Sequence, residues 1–336
     1  MTTVNAYAAR EAGGTLEPYS YELDAIGAGQ VDVSVTSCGI CHSDLSMVNN
    51  DWQMTEYPFV GGHEAVGEII AVGDNTKGVK VGEKVGLGWN SGSCGHCEQC
   101  ISGYQIMCRE LEQTIVNRHG GFADKVRCHW SWAIKLPDKI DMLKAGPLFC
   151  GGITVFNPFY QYDIKPTDKV GVIGIGGLGH LAVQFADKWG CEVTAFSSSP
   201  DKREQLKEMG ADLVVNSQSD EELESVRGKF DLILSTVNVT LNWEAYLQTL
   251  APKGRLHMLG ATMEPMQVPT FSIIQQKSVS STATGSPTVV AKMLEFCARH
   301  DIETVTEVFP MSRINEAFEH LESGKARYRI VLENDF

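Results

Sequence analysis

Up to about residue 150, apolar and polar positions alternate in short runs broken by glycine: VDVSVTSC, AVGEIIAVG, VGEKVGLGW, GGFADKVRC and WAIKLP. Successive side chains leave a strand on opposite faces, so alternation of period two predicts half-buried strands. From Lys169 the pattern changes. Apolar runs such as KVGVIG, CEVTAFS, DLVVN, FDLILSTV and GRLHMLG now alternate with amphipathic segments such as LGHLAVQFADKWG, DKREQLKEMG, EELESVRG and LNWEAYLQTL. Strands regularly interrupted by helical segments predict βαβ units on a parallel, doubly wound sheet. Near Thr288 the pattern breaks into a helix VVAKMLEFCARH, a short strand, a helix INEAFEHLESG and a last strand ARYRIVL. This tail can complete either part.

A chain of 336 residues suits two domains, and 43% hydrophobic with 21% charged residues describes a folded protein. The formal net charge of −14 argues against nucleic acid and anionic membranes as general partners, since both are bound through excess Lys and Arg. No apolar run is long enough to span a bilayer, and MTTVNAYAAR lacks a signal-peptide pattern. A reducing cytoplasm is therefore the expected setting for the ten cysteines.

Within VGVIGIGGLGHLAVQFA, Gly174, Gly176 and Gly179 form GxGxxG at a strand-to-helix junction. The first allows a tight turn, the second lets the backbone approach a pyrophosphate, and the third allows close strand–helix packing. A dinucleotide site is predicted there, with Gly177 and Leu178 in the loop. NAD enzymes carry an acid about 20 residues on, for the ribose hydroxyls. This chain has FSSSPDKREQ, which puts Ser197, Ser198 and Ser199 at that place and Lys202 and Arg203 behind them. Hydroxyls and positive charge suit a 2′-phosphate, so NADP(H) is expected over NAD(H). The competing reading is a helix cap with solvated charges, with Asp201 close by.

SCGHCEQCISGYQIMC places Cys94, Cys97, Cys100 and Cys108 in the spacing CxxCxxCx7C. Four thiolates so spaced can enclose one tetrahedral Zn²⁺, leaving no open position for chemistry. Two disulfides would fit a secreted chain, and an iron–sulfur cluster also takes four cysteines, although ferredoxin spacings differ. Further potential ligands are Cys41 and Asp44 in CGICHSDLS, His63 and Glu64 in GGHEAVGE, and Cys150 in AGPLFCGGITVF. Taken singly they have ordinary explanations: Cys38 with Cys41 as a redox pair, His63 as a core histidine.

Together these segments resemble, in the same order and over essentially the whole chain, the zinc-dependent medium-chain alcohol dehydrogenases. The resemblance is strongest to the cinnamyl alcohol dehydrogenase-like branch of NADPH-dependent aldehyde reductases. It implies an α/β protein with a GroES-like β domain at residues 1–150, completed by about 288–336, and a Rossmann NADP-binding domain at 151–287. It also implies two Zn²⁺ per chain. Cys41, His63 and Cys150 would hold the catalytic one, with Glu64 as a ligand that swings in and Asp44 orienting the histidine. Ser43 would contact the reacting oxygen and start a proton relay that relatives continue through a histidine, where this chain has Ser46. His42 and Thr154 would approach the coenzyme, as would Thr236, Gly260 and Thr282 at strand ends. Trp52, Tyr57 and Trp89 flank the catalytic motifs and would favour apolar or aromatic aldehydes, the alternative being core packing. The expected partners are a small aldehyde or alcohol and a second copy of the chain in a homodimer, with Phe271, Ile273 and Ile274 at the seam. The rival activity, an NAD-dependent zinc polyol dehydrogenase, requires an acid after CEVTAF. A non-catalytic NADPH-sensing protein on this scaffold would have lost a zinc ligand.

Overall fold

The alternating runs form strands. The first is β1 (Thr2–Ala8), paired antiparallel with β2 (Glu17–Leu23). There follow β3 (Gln30–Ile40), α1 (His42–Asn49), β4 (Ala65–Val72), β5 (Lys84–Leu87) and β6 (Asn90–Gly92). Next come α2 (Glu98–Ile101), β7 (Glu112–Gln113), β8 (Lys125–His129), β9 (Ile134–Lys135), α3 (Met142–Ala145) and α4 (Gly151–Gln161). The βα series contains β10 (Lys169–Ile173), α5 (Gly179–Trp189), β11 (Glu192–Ser197), α6 (Arg203–Glu208), β12 (Leu213–Asn216) and α7 (Asp220–Ser225). It continues with β13 (Phe230–Ser235), α8 (Trp243–Thr249), β14 (Leu250–Met258), α9 (Thr270–Ile273) and β15 (Ser278–Ser281). The tail is α10 (Pro287–His300), β16 (Thr306–Pro310), α11 (Ile314–Glu322) and β17 (Arg329–Glu333). This computed structural model describes residues 1–199, 202–261 and 264–336, so Asp201 lies outside the described residues.

Contacts divide the chain into one unit of Met1–Ile153 with Gly285–Phe336 and another of Thr154–Thr284. In the first, β16-β17-β3-β4-β5-β9 form one sheet, with β8 also on β3. Only the β16–β17 pair is parallel; the tail reaches the sheet because β17 lies antiparallel to β3, Ile330 opposite Ile40. Val31, Val33 and Val35 of β3, Ile69 of β4 and Val126 of β8 point into a core that also takes Ile330 and Leu332. At the end of β3 the chain turns into α1, and the turn residue is Cys41.

The second unit is a six-stranded sheet, all parallel, in the order β12-β11-β10-β13-β14-β15. In order of appearance that is 3-2-1-4-5-6, the doubly wound arrangement whose order reverses beside its first strand, here β10. Four of the five residues of β10 are buried, as expected for a strand covered on both faces. Among the described residues, no helix is long and apolar enough to cross a membrane.

Candidate functional site

Cys41 is the N-cap of α1, and Asp44, three residues on, folds back on it. Asp44 Oδ2 accepts the Cys41 N–H at 3.0 Å, while Oδ1 accepts the Gly62 N–H at 2.8 Å and meets His63 Nδ1 at 2.9 Å. A single fully buried carboxylate thus fixes the cysteine, the turn before the histidine and the imidazole itself. Gly62 has φ +95°, and a Cβ there would lie 2.5 Å from Phe122 N, so only glycine makes this turn. With Nδ1 facing Asp44, His63 directs Nε2 to Cys150 Sγ at 3.2 Å, and Cys150 Sγ lies 3.8 Å from Cys41 Sγ. One ligand atom each of Cys41, His63, Glu64 and Cys150 falls within 4.8 Å of the others.

The protonation of this cluster is set by its own contacts. The hydrogen bond from Cys150 holds the Cys41 thiol low against its burial, and the same contact pushes Cys150 up. Burial opposes charge on His63, but the Asp44 carboxylate more than offsets it and raises the imidazole. Burial also raises Glu64, with Arg329 pulling the other way. A tetrahedral zinc with Zn–S bonds of about 2.3 Å has S···S edges of about 3.8 Å, which the Cys41–Cys150 spacing matches. Two sulfurs and one imidazole form a suitable donor set, so the residues present fit Zn²⁺.

Arg329 is the residue that sequence reading missed. It lies on β17, is buried, and its Nη2 donates to Glu64 Oε1. Glu64 Oε2 has no hydrogen-bond partner among the described residues. Gly39 makes room for this carboxylate, because a Cβ there would sit 1.9 Å from Oε2. The ion pair joins residues 265 positions apart, and nothing local in GKARYRI signals it.

Around the cluster, Ser43 Oγ is 3.8 Å from Cys41 Sγ, whereas Ser46 lies half-buried further along α1 and His42 is exposed. The Trp89 ring stands edge-on to His63 at 4.9 Å and 78°, and Trp52 packs against Trp89 at 6.0 Å. Tyr57 spends its hydroxyl on Val48 O at 2.7 Å, bracing the end of α1. The structure therefore brings Trp52 and Trp89 to the cluster and gives Tyr57 a packing contact.

In the second cysteine group, Cys94 and Cys100 sulfurs are 3.9 Å apart, as are those of Cys97 and Cys108. Both distances are close to the tetrahedral edge given above. Backbone N–H groups of His96 and Cys97 lower the Cys94 thiol to about 6, whereas burial raises Cys100 to about 11. Gly95 and Gly103 have φ +73° and +89° between the ligands. This set also fits Zn²⁺. None of the ten cysteines is in a disulfide.

The glycine motif sits at the carboxyl end of β10. Gly174 has φ +83°, and a Cβ on Gly179 would fall 2.0 Å from Gly174 O, so turn and packing both exclude larger residues. A Cβ on Gly176 would meet nothing within 4 Å; no packing in the protein requires glycine there, and the space suits a pyrophosphate. α5 begins at Gly179, and its N-cap, Leu178, supplies no side-chain cap. Thr236 donates to Gly174 O at 2.6 Å and so braces the turn. Gly260 follows β14, Thr282 follows β15, and Thr154 is buried in α4. Ser197 and Ser199 bond to each other at the end of β11, with Ser198 exposed. Lys202 precedes α6, and Arg203 lies 3.8 Å from Glu222 in an exposed pair. Phe271 and Ile274 are 86% and 68% exposed, while Ile273 packs into the core of this unit.

A family model for the alcohol dehydrogenase GroES-like domain matches residues 27–138, and one for zinc-binding dehydrogenases matches 177–299. The chain is 52% identical over 332 residues to aldehyde reductase AdhA of Synechocystis sp., covering 98% of this chain and 99% of that one. Its fold matches a cinnamyl alcohol dehydrogenase of Sorghum bicolor with TM-score 0.93 at 36% identity, covering 99% and 98% of the two chains. It also matches the corresponding enzyme of Helicobacter pylori complexed with NADP(H), with TM-score 0.89 at 26% identity and the same coverage.

Proposed function

We infer the chemistry of this site from what the chain is: it belongs to the zinc-dependent medium-chain alcohol dehydrogenases, in the cinnamyl alcohol dehydrogenase-like branch. It is an oxidoreductase that interconverts aldehydes and alcohols. In our reading NADPH is the coenzyme, two Zn²⁺ are bound per chain, and the substrates include aromatic and aliphatic aldehydes. The observation that carries the catalytic zinc is the convergence of Cys41, His63 and Cys150 with an Asp44-oriented imidazole.

Cys41, His63 and Cys150 would hold a Zn²⁺ that would supply a Lewis acid for a carbonyl oxygen, and NADPH would supply the hydride. The chain's own groups do the rest. Asp44 keeps the proton of His63 on Nδ1, so Nε2 presents its lone pair to the metal. Arg329 holds Glu64 beside the cluster through one oxygen, which leaves the other oxygen as a further donor that a bound metal would find. Trp89 and Trp52 exclude water and offer an apolar face to the aldehyde. Ser43, whose Oγ lies 3.8 Å from Cys41 Sγ, would give its proton to the reacting oxygen, and solvent would restore it.

General-acid steps contribute roughly 10²-fold or more, so Ser43→Ala is expected to lose about that factor in kcat, against less than about threefold for Ser46→Ala. Comparable losses would contradict a relay that begins at Ser43 and bypasses Ser46.

Ser197, Ser198, Ser199, Lys202 and Arg203 are read as the 2′-phosphate site. A hydrogen bond to a charged group is worth about 1.5–3 kcal/mol, which sets the expected NADPH over NADH preference at about 10²-fold in kcat/KM. Steady-state rates with benzaldehyde, a short aliphatic aldehyde and a long one, each with both coenzymes, test this. A preference for NADH would overturn it. Phe271 on α9 and Ile274 just past its end, in the segment that leads into the edge strand β15, are read as part of a homodimer seam, and the reduced cysteines as a sign of the cytoplasm.

A further inference from the structure

Residue 257 sits on β14 among positions that face two ways. Leu256 and Met258 pack into the core on one side of the sheet, while Arg255 and His257 face the other. His257 is fully buried, and both ring nitrogens are used: Nδ1 meets Ser280 Oγ at 2.9 Å and Nε2 meets Thr282 Oγ1 at 3.1 Å. Ser280 is its register partner on β15, and Thr282 is the next residue on the same face, just past the carboxyl end of that strand. The Tyr162 ring closes over the imidazole at 5.4 Å and 69°, and the Arg255 guanidinium lies 3.9 Å from the centre of that ring. Burial, with Arg255 adding to it, lowers His257 to about 4, so it is neutral at physiological pH. A neutral imidazole has one donor and one acceptor, so one hydroxyl must accept from it and the other must donate to it. The Thr282 hydroxyl is therefore held by its neighbour, as donor or as acceptor according to which ring nitrogen carries the proton.

An apolar residue would fill this place without any need to satisfy two buried nitrogens. The polar alternative lies where doubly wound sheets bind ligands, outside the carboxyl ends of the strands. Dinucleotides bind across the reversal in strand order, one mononucleotide to each half. With the 2′-phosphate assigned to the end of β11, the adenosine half is taken by β10-β11-β12, and β13-β14-β15 serve the nicotinamide half.

We propose that His257 is a positioning residue for the coenzyme, holding the Thr282 hydroxyl in place so that it can hydrogen-bond the nicotinamide half of NADPH. This rests on the reading of Thr282 as a coenzyme contact.

The test is NADPH affinity of the purified enzyme, measured as Kd by fluorescence titration and as KM with benzaldehyde. The variants are Thr282→Val, His257→Leu, the two combined, and His257→Gln. One oriented neutral hydrogen bond is worth about fivefold in affinity. Each single variant is expected to raise Kd and KM about fivefold, His257→Leu with kcat within about twofold, and the double variant to be no worse than either. His257→Gln keeps a donor and an acceptor and is expected to bind NADPH within about twofold of the wild type, a rescue that loss of packing alone does not give. Unchanged affinity in His257→Leu with weakened affinity in Thr282→Val overturns the inference while leaving the coenzyme contact standing. Losses that multiply in the double variant overturn it as well. Unchanged affinity in Thr282→Val overturns the coenzyme contact and the inference together. Should His257→Leu not fold, Ser280→Ala frees the other nitrogen and is expected to raise Kd about threefold; no change there contradicts the inference.

Discussion

Replacing Cys41 by serine is expected to remove at least about a thousandfold of turnover from a protein that remains folded. Lewis-acid polarisation is worth several kcal/mol of barrier, and each 1.36 kcal/mol is tenfold in rate, so losing the metal's third ligand costs about three decades or more. A serine hydroxyl stays protonated near neutrality and cannot replace a thiolate as ligand. The fold is spared for a local reason. Cys41 acts structurally as the N-cap of α1, its backbone N–H bound to Asp44, and serine is among the better N-cap residues. kcat should fall while the circular dichroism spectrum and Tm stay near the wild type. Partial activity within about tenfold of the wild type would show that the cluster is not the reaction centre.

Cys97→Ser is expected to act the other way round, on stability first. Cys97 is also an N-cap, of α2, so serine again keeps the local helix start, and the change isolates the sulfur set. The segment around it has little else to hold it. Ile101, Tyr104 and Met107 are 76%, 49% and 50% exposed, and only Cys100 and Cys108 of the four sulfurs are buried. Loss of a structural metal belongs to the large-effect class, more than about 4 kcal/mol, which for a domain of this size lowers Tm by roughly 10 °C. The protein surviving at low temperature should retain kcat within a few-fold. An unchanged Tm would show that the lobe does not depend on a bound metal.

The two variants contrast because the sequence makes the two sites visible in different ways. The four cysteines of the lobe are close in the chain, and spacing alone implied a closed site. The other set could not be assembled so. His63 and Cys150 are 87 residues apart, Cys41 and Cys150 are 109 apart, and only the resemblance joined them. The doubly wound sheet was legible because β10, β11, β12 and β13 are nearly continuous apolar runs separated by amphipathic helices. The β1–β2 hairpin escaped notice although β1 alternates in burial, because its partner strand has no fully buried residue and exposes Glu17, Pro18, Ser20 and Glu22. The apolar pattern does not mark β15, which only the resemblance implied through Thr282 at a strand end: SVSS has a single apolar residue, and it is its parallel register with β14 that makes it a strand. Arg329 and His257 were illegible in principle. Each is defined by partners on other strands, Glu64 for one and Ser280 with Thr282 for the other, and neither leaves a local spacing.

The most direct measurement is the zinc content of the purified protein, compared among the wild type, Cys150→Ser and Cys97→Ser. Two sets of ligands, one closed and one open to substrate, predict about two Zn²⁺ per chain in the wild type. Cys150→Ser should keep about one, with normal thermal stability and no aldehyde reduction. Two zinc ions retained in active Cys150→Ser would contradict the account, as would a fully active wild type holding one ion that Cys150→Ser also keeps.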